Sequence, residues 1–589
     1  MLPREVLGAS FGGLMGQRLE ANLAGWLLPA PLANPGMSER FAHCDRQPRD
    51  RLVPWYGEFP GKYITSAAAA HACGTDRQLE HTVETLIARL RAAQRLDGLL
   101  SPHPGAEWLT GETIDWGDNQ LMRPLWELWG YYHLILGLVS WYQRTGSAAA
   151  LALARSAADG VSRAFLSGEA TLDQARAPEN LGLAHGYALL YRLFGEQRDR
   201  EMMQLLLDRA ERDRHYVEGA LAGQQFYQLP WPRWEGLHAL QALGERHRAL
   251  GDERALEAML RLAEGIRLTD RHNTGGFSSG ERGCGNPYDP GAIETCCTVA
   301  WMALAVDCLQ LSGEARWADE LELSLFNGAL GAQHPTGRWW TYNTPMDGVR
   351  RASAHTIVFQ AVQGSPELNC CSVNGPRTLG MTAEWGLGVN GRELALNYYG
   401  ESAWSAALPD GPTVRLIQRT RYPADPRVEI EVCPAQPSSF CLKLRIPAWS
   451  AVTRAALDGR PLKAQPGGYL AIDRLWRGGE RVTLEFDFSL HAWPGARQCA
   501  GKASLYQGPV LLALDQRFNQ ADPERMPTIH AGALEPAEPG IDWFEPQVLL
   551  RDPIGGAVLC DFATAGATGT HYASWLAVED LPRTSCFAV

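Results

Sequence analysis

Residues 247–266 read HRALGDERALEAMLRLAEGI. A run of helix-forming residues stops at Gly251, Asp252 follows, and apolar residues then recur at 255, 256, 259, 260, 262, 263 and 266. That is the spacing of one helical face. Glycine just past a helix supplies a left-handed cap, and an acidic or polar residue after it starts the next helix. The same design stands at 71–90 (HACGTDRQLEHTVETLIARL), 142–161 (YQRTGSAAALALARSAADGV), 191–210 (YRLFGEQRDREMMQLLLDRA) and 309–328 (LQLSGEARWADELELSLFNG). Its turn glycines there are Gly74, Gly146, Gly195 and Gly313. A recurrence of roughly 50–70 residues is one helical hairpin plus a long connection. Five or six such hairpins stack as an open solenoid or close into a ring. The connections are long and rich in Trp, Gly and His, which favours a closed α/α toroid with functional loops at one end. Periodicity alone does not decide closure.

Near residues 386–391 the period changes. LALNYYG (394–400), TVRLIQRTRY (413–422), VEIEVCP (428–434), FCLKLRIPAW (440–449), GYLAIDRLW (468–476) and RVTLEFDFSL (481–490) alternate apolar with polar residues between Pro, Gly and Asp turns. These are antiparallel strands of a sandwich. A weaker β stretch runs from ASLYQGPVLLAL (503–514) to residue 589. The expected plan is multidomain, α then β: an (α/α)6 barrel over 1–388, a β-sandwich over 389–498 and a second β-rich region over 499–589.

A chain of 589 residues exceeds what one core normally holds. Its formal net charge of -12 opposes a general nucleic-acid binder, which shows a basic footprint. No apolar run is expected to cross a bilayer. The N-terminal stretch carries Arg4, Arg18 and Glu20 among its apolar residues, unlike a secretory leader. A cytoplasmic protein is the expectation. Thirteen cysteines in so long a chain do not suggest a disulfide framework. Cys73, Cys308 and Cys433 sit in apolar segments and read as small hydrophobes, whereas Cys296–Cys297 and Cys370–Cys371 are clustered. Twenty tryptophans serve core packing, sugar stacking or both.

The densest chemistry lies in GGFSSGERGCGNPYDPGAIETCC (275–297), ahead of a helical run TVAWMALAVDCLQL (298–311). ELNCCSVNGPRTL (367–379) holds the second cysteine pair. One carboxylate and three thiols are a possible four-donor set for zinc. The spacing is that of no zinc finger, so an incidental vicinal pair stays open on spacing alone. A helix N-terminus after Glu294 and Cys296 favours thiolate and carboxylate there. A short helix is expected after Cys370–Cys371, with Pro376 near its first turn.

Together these motifs resemble the zinc-dependent β-L-arabinofuranosidases of glycoside hydrolase family 127. The resemblance runs through GQRLEANL (16–23), FPGKYITSAA (59–68), AAQRLDGLL (92–100), YYHLILGLVSWYQRTG (131–146), IETCC (293–297), LFNGALG (325–331), TYNTPM (341–346), CCSVNG (370–375), RIPAWS (445–450) and GGYLAIDRLW (467–476). It implies that Glu294, Cys296, Cys370 and Cys371 hold one zinc ion and that Cys370 is the nucleophile. It also implies that Glu281, in the Gly280–Glu281 pair, is the acid/base, and that His133, His238 and Tyr342 contact the sugar. The implied reaction is retaining release of a terminal sugar by double displacement. The partner it implies is a glycoside, with no nucleic acid or membrane and with a homodimer allowed. The chain departs from the family where a histidine is replaced near Asn180 in PENLGLAHG (178–186), a residue expected to line the glycone pocket. It departs again at Cys297, Cys284 and Leu368. Three rival readings are another pectic glycone, a metal-independent toroid enzyme such as an unsaturated uronyl hydrolase, and a structural zinc beside carbohydrate-binding sandwiches.

Overall fold

The computed structural model describes residues 6–115, 120–409, 411–520, 526–538 and 544–589. Helical hairpins fill its first two thirds. The inner members are α1 (Phe59–Cys73), α3 (Glu127–Thr145), α5 (Leu183–Phe194), α7 (Gly236–Leu250) and α9 (Thr295–Ser312). Their outer partners are α2 (Arg77–Ala93), α4 (Ala148–Leu166), α6 (Gln197–Arg214), α8 (Glu253–Thr269) and α10 (Ala315–Leu323). Each inner helix packs on the next, and α9 meets the short helix α11 (Cys370–Asn374), which packs back on α1. The ring is therefore closed, with 370–385 as its sixth inner element.

Outer helices such as α2 and α8 bury one face and present charge outward, α10 is buried nearly throughout, and the inner helices α3 and α9 are buried nearly all round. That division explains α9. It is the one helix among the described residues long and apolar enough to cross a membrane by length and composition, contrary to the sequence expectation. It is apolar because it is a ring member enclosed on every side, buried from Thr295 to Leu309.

Four turn glycines, Gly146, Gly195, Gly251 and Gly313, take the left-handed cap conformation with φ between 68° and 75°. Gly74 does not, at φ 167°. In the four, the residue after glycine already caps the next helix, forcing a tight reversal; after Gly74 an extra residue intervenes before Asp76 caps α2.

The β region begins with a seven-stranded sheet whose edge strand is Val6–Phe11, antiparallel to Ser402–Ala407. A four-stranded sheet centred on Ser438–Ile446 is also present. Arg445 from that strand reaches the barrel, pairing with Asp319 at 2.5 Å and Glu322 at 2.6 Å on α10. The last sheet includes Leu490–Pro494, Ala503–Gln507 and Val510–Asp515. It locks onto the 271–289 loop: Asn273 Nδ2 donates to Ser504 and Ser574, and the Tyr506 hydroxyl donates to the Asn273 carbonyl.

Candidate metal centre and active site

The functional side chains gather at the N-terminal ends of the inner helices. Glu294 stands at the cap of α9. Residues 293–295 are held as a short extended pair against 341–344: Thr295 N–H donates to the Tyr342 carbonyl at 2.8 Å, and Ile293 N–H to Asn343 Oδ1 at 2.8 Å. Cys296 is buried on the first turn. Opposite, Asn369 caps α11 through Ser372, so the helix starts at Cys370 itself, and Pro376 precedes the next short turn rather than this one. Gln360 clamps the nucleophile candidate, accepting from Cys370 N–H at 2.9 Å and donating to its Sγ at 3.6 Å.

The four donor atoms of Glu294, Cys296, Cys370 and Cys371 lie within 4.8 Å of one another, all buried. Sγ–Sγ separations are 3.7 Å for Cys296–Cys371 and 3.6 Å for Cys370–Cys371. Glu294 Oε1 is 3.6 Å from Cys370 Sγ and 3.4 Å from Cys371 Sγ. A tetrahedral zinc with Zn–S bonds of about 2.3 Å has S···S edges near 3.8 Å. The donor set thus fits such an ion. Burial, then the Cys296 thiolate, pushes Glu294 and Cys371 well above their ordinary values; Cys370 is pushed up first by its hydrogen bond to Cys296. Four buried acids cannot all ionise beside one ammonium without a further cation.

That ammonium belongs to Lys62, paired with Glu58 at 2.8 Å and 3.8 Å from Cys296 Sγ. Burial lowers it, but Cys296 and Glu58 outweigh burial and keep it charged. Burial raises Glu58 to about 7. Cys297 donates to the other oxygen of Glu294 at 3.4 Å, so it touches the cluster from outside. Cys284 is exposed and apart from it, and Leu368 is buried in the core.

Glu281 sits in a left-handed conformation (φ 68°), as does Ser278 at φ 77° in the same loop. Strained non-glycine residues of this kind persist where surroundings over-determine them. Glu281 Oε1 accepts from the Tyr342 hydroxyl at 2.5 Å, and Oε2 from Arg233 Nη2 at 2.5 Å. Arg233 also pairs with Glu235 at 2.8 Å and approaches Glu179 at 3.7 Å. Burial, then Glu294 and Glu281, drives the Tyr342 phenol far above its ordinary value, so it stays a donor.

His133 and His238 are buried side by side, their rings 5.9 Å apart against Trp129, and among the described residues His133 Nε2 has no hydrogen-bond partner. His238 Nδ1 meets the Tyr132 hydroxyl and Gln241 Oε1, each at 2.8 Å. Desolvation holds both rings neutral. Asn180 is turned onto the main chain. Its Oδ1 accepts from Trp129 N–H and its Nδ2 donates to the Leu125 and Ala175 carbonyls, so its amide clamps three main-chain groups. Its neighbour Glu179 is the one that faces Arg233. Lys62, Gln360 and Arg233 went unassigned in the sequence. Lys62 lay in a quoted motif, and Arg233 is a charge among Trp and Pro, but Gln360 had no signal.

Residues 16–384 match the β-L-arabinofuranosidase GH127 catalytic domain, and 393–488 the GH127 middle domain. The chain belongs to glycoside hydrolase family 127. It is a glycoside hydrolase of the β-L-arabinofuranosidase family. A non-reducing end β-L-arabinofuranosidase of Bifidobacterium longum subsp. longum is 25% identical over 506 residues, 78% of this chain and 75% of that one. A GH127 β-L-arabinofuranosidase from Geobacillus stearothermophilus T6 superposes with TM-score 0.76 at 19% identity, over 97% of this chain and 100% of the other. The GH127 β-arabinofuranosidase BT3674 gives 0.77 at 19%, over 97% of each. These likenesses show the barrel-then-sandwich fold, and the family match sets the chain apart from other toroid families such as the unsaturated uronyl hydrolases.

Proposed function

We propose that this hydrolase releases non-reducing terminal β-L-arabinofuranose with retention, using Cys370 as nucleophile, Glu281 as acid/base and zinc as its cofactor. The convergence of Glu294, Cys296, Cys370 and Cys371 within 4.8 Å carries the reading. Cys370 suits the nucleophile's part because it alone of the three thiols keeps any exposure, 6% against 0% for Cys296 and Cys371. Zinc held by these donors would keep the thiols deprotonated near neutral pH. Cys370 Sγ attacks the anomeric carbon as the glycosidic C–O bond breaks. Glu281 gives its proton to the departing oxygen, held in line by Tyr342 and Arg233. Glu281 then takes a proton from water, which attacks the thioglycoside carbon and returns the thiolate.

The glycone follows the name of the Bifidobacterium longum relative. All thirteen cysteines are free, which suits a reducing compartment, and we place the enzyme in the cytoplasm. The boundaries 1–388, 389–498 and 499–589 remain our domain division. The test is a panel of aryl furanosides and pyranosides with reduced, zinc-loaded protein. The β-L-arabinofuranoside is expected to be fastest; a faster pyranoside or acidic sugar overturns the glycone and leaves the site chemistry intact.

A further inference from the structure

Among the described residues one tryptophan is exposed: Trp231, at 40%. Its segment, Trp231-Pro232-Arg233-Trp234, descends from the surface to the site. Trp231 stands outside, and Trp234 is buried against Trp129 with Lys62 Nζ 5.3 Å from its ring. Arg233, between them, binds the Glu281 carboxylate. The main chain fixes this segment to the Glu281 loop. Trp234 N–H donates to the Glu281 carbonyl at 3.3 Å, and Gly283 N–H to the Pro232 carbonyl at 2.9 Å. Trp231 is therefore the outer lip of the wall that carries the proposed acid/base.

The indole is held in place. Trp231 has φ 57°, in the left-handed region that a bulky residue rarely adopts, as Glu281 does at φ 68° on the loop it is joined to. Such strain collects at ligand clamps, where the surroundings over-determine the backbone. Arg233 N–H donates to the Trp231 carbonyl at 2.8 Å and turns the chain tightly. The Arg282 guanidinium lies over the indole, 4.7 Å from a ring centroid. The indole also reaches Glu179, where it partly offsets the rise to about 7 that burial imposes on that carboxyl. An exposed indole fixed by its backbone, a cation and a carboxyl is a preorganised apolar surface. A guanidinium stacked on a ring keeps its N–H edge free for oxygen acceptors. Two residues of chain reach at most about 7 Å, so Trp231 lies on the order of one sugar unit outward from the side chain that holds Glu281.

We propose that Trp231 and Arg282 form an aglycone subsite: the indole stacks on the sugar to which the released residue is linked, and Arg282 donates to that sugar's hydroxyls. The substrate class is then a glycosylated sugar, rather than a glycosylated peptide or lipid. The subsite rests on Glu281 as the acid/base of the proposed function.

The test compares two kinds of substrate that share the glycone ranked first by the aryl panel. One is its simple methyl glycoside; the other is the same glycone linked to L-arabinose, D-galactose or D-glucose. At least one of the linked sugars is expected to be preferred tenfold or more in kcat/KM. Trp231→Ala is expected to cost that substrate at least tenfold more than it costs the methyl glycoside, chiefly through KM. Trp231→Phe, which keeps an aromatic face, should retain most of the preference, and Arg282→Gln should lower it at least threefold. No preference for any second sugar overturns the proposal. So does an equal loss on both kinds of substrate, which would make Trp231 a support of the Glu281 loop. Failure of the catalytic reading shows elsewhere, as full activity of Glu281→Gln, and leaves this comparison decisive for the second sugar.

Discussion

The Tyr342 hydroxyl donates to Glu281 Oε1 at 2.5 Å, while the Tyr342 backbone carbonyl receives the N–H of Thr295, next to Glu294, at 2.8 Å. One residue therefore ties Glu281, the proposed acid/base, to the cluster that could hold a metal. Tyr342→Phe keeps the backbone link and removes only the donor to the carboxylate. Hydrogen bonds to charged groups contribute about 1.5–3 kcal/mol, so kcat is expected to fall roughly 10- to 100-fold. Bound metal, measured by elemental analysis, should be unchanged; a parallel loss of metal would mean that Tyr342 supports the cluster rather than the acid.

Metal content is the second expectation. Four donors at tetrahedral separations should hold about one zinc per chain, and a strong chelator should abolish activity and lower the melting temperature together. Cys296→Ser removes a buried donor that Lys62 cannot replace, and should cost both metal and activity. An active, fully reduced preparation without transition metal would refute the role given to the cluster.

How far the sequence revealed this site depends on the kind of interaction. The hairpins and sandwich strands were legible because burial imposes periods of 3.6 and 2 on local sequence. Ring closure was not, because it depends on contacts between 370–385 and α1, some three hundred residues apart. The edge strand Val6–Phe11 was missed likewise, its partner being Ser402–Ala407. Glu294, Cys296, Cys370 and Cys371 were readable through motif resemblance, and the fold brings all four together. The main-chain bonds of Asn180 were not legible, because resemblance gives position, not the direction of an amide. Gln360 was invisible, since a glutamine acquires meaning only from the thiol it reaches.

Asn180 supplies the third prediction. Asn180→Ala strands Trp129 N–H and the Leu125 and Ala175 carbonyls in a buried setting. Unsatisfied buried groups cost about 1–3 kcal/mol each where the chain cannot relax. Chemical denaturation should show a loss of about 2–4 kcal/mol, with the ranking among aryl glycosides unchanged. An altered ranking with normal stability would return Asn180 to the glycone pocket.

The fourth concerns acid. His491 is fully buried, its Nε2–H donates to the Gly508 carbonyl at 2.9 Å, and desolvation lowers it from the usual 6.5 to about 4. His103, likewise buried, is lowered to about 3. A ring that is neutral in the fold but protonates readily when unfolded contributes stability above about pH 6.5, and loses it as pH falls towards its folded value. At pH 5 each such histidine costs about 2 kcal/mol relative to pH 7. His491→Gln preserves a donor for Gly508 and removes the titration. Its melting temperature should fall less steeply between pH 7 and pH 5 than that of the parent, and identical slopes would exclude His491 as a source of acid sensitivity.

The last prediction separates nucleophile from acid. Glu281→Gln leaves the thiols and their donors in place and removes the proton. Glycosides with poor alcohol leaving groups should lose about 10²–10⁴-fold in rate, the range of general acid catalysis. A nitrophenolate needs little protonation, so the first step should survive better with that leaving group. Return of the thiolate still requires a base, so a burst of nitrophenol and a trapped thioglycoside are expected. Mass spectrometry after brief exposure should place the added sugar on the peptide containing Cys370. Cys370→Ser should instead lose both steps with every leaving group, because a serine hydroxyl is a much weaker nucleophile at neutral pH. NMR of the first-formed sugar should show retained configuration in the parent enzyme. An inverted product, or label on a carboxylate peptide, would overturn attack by sulfur; full activity of Glu281→Gln on alkyl glycosides would remove Glu281 from the acid's place.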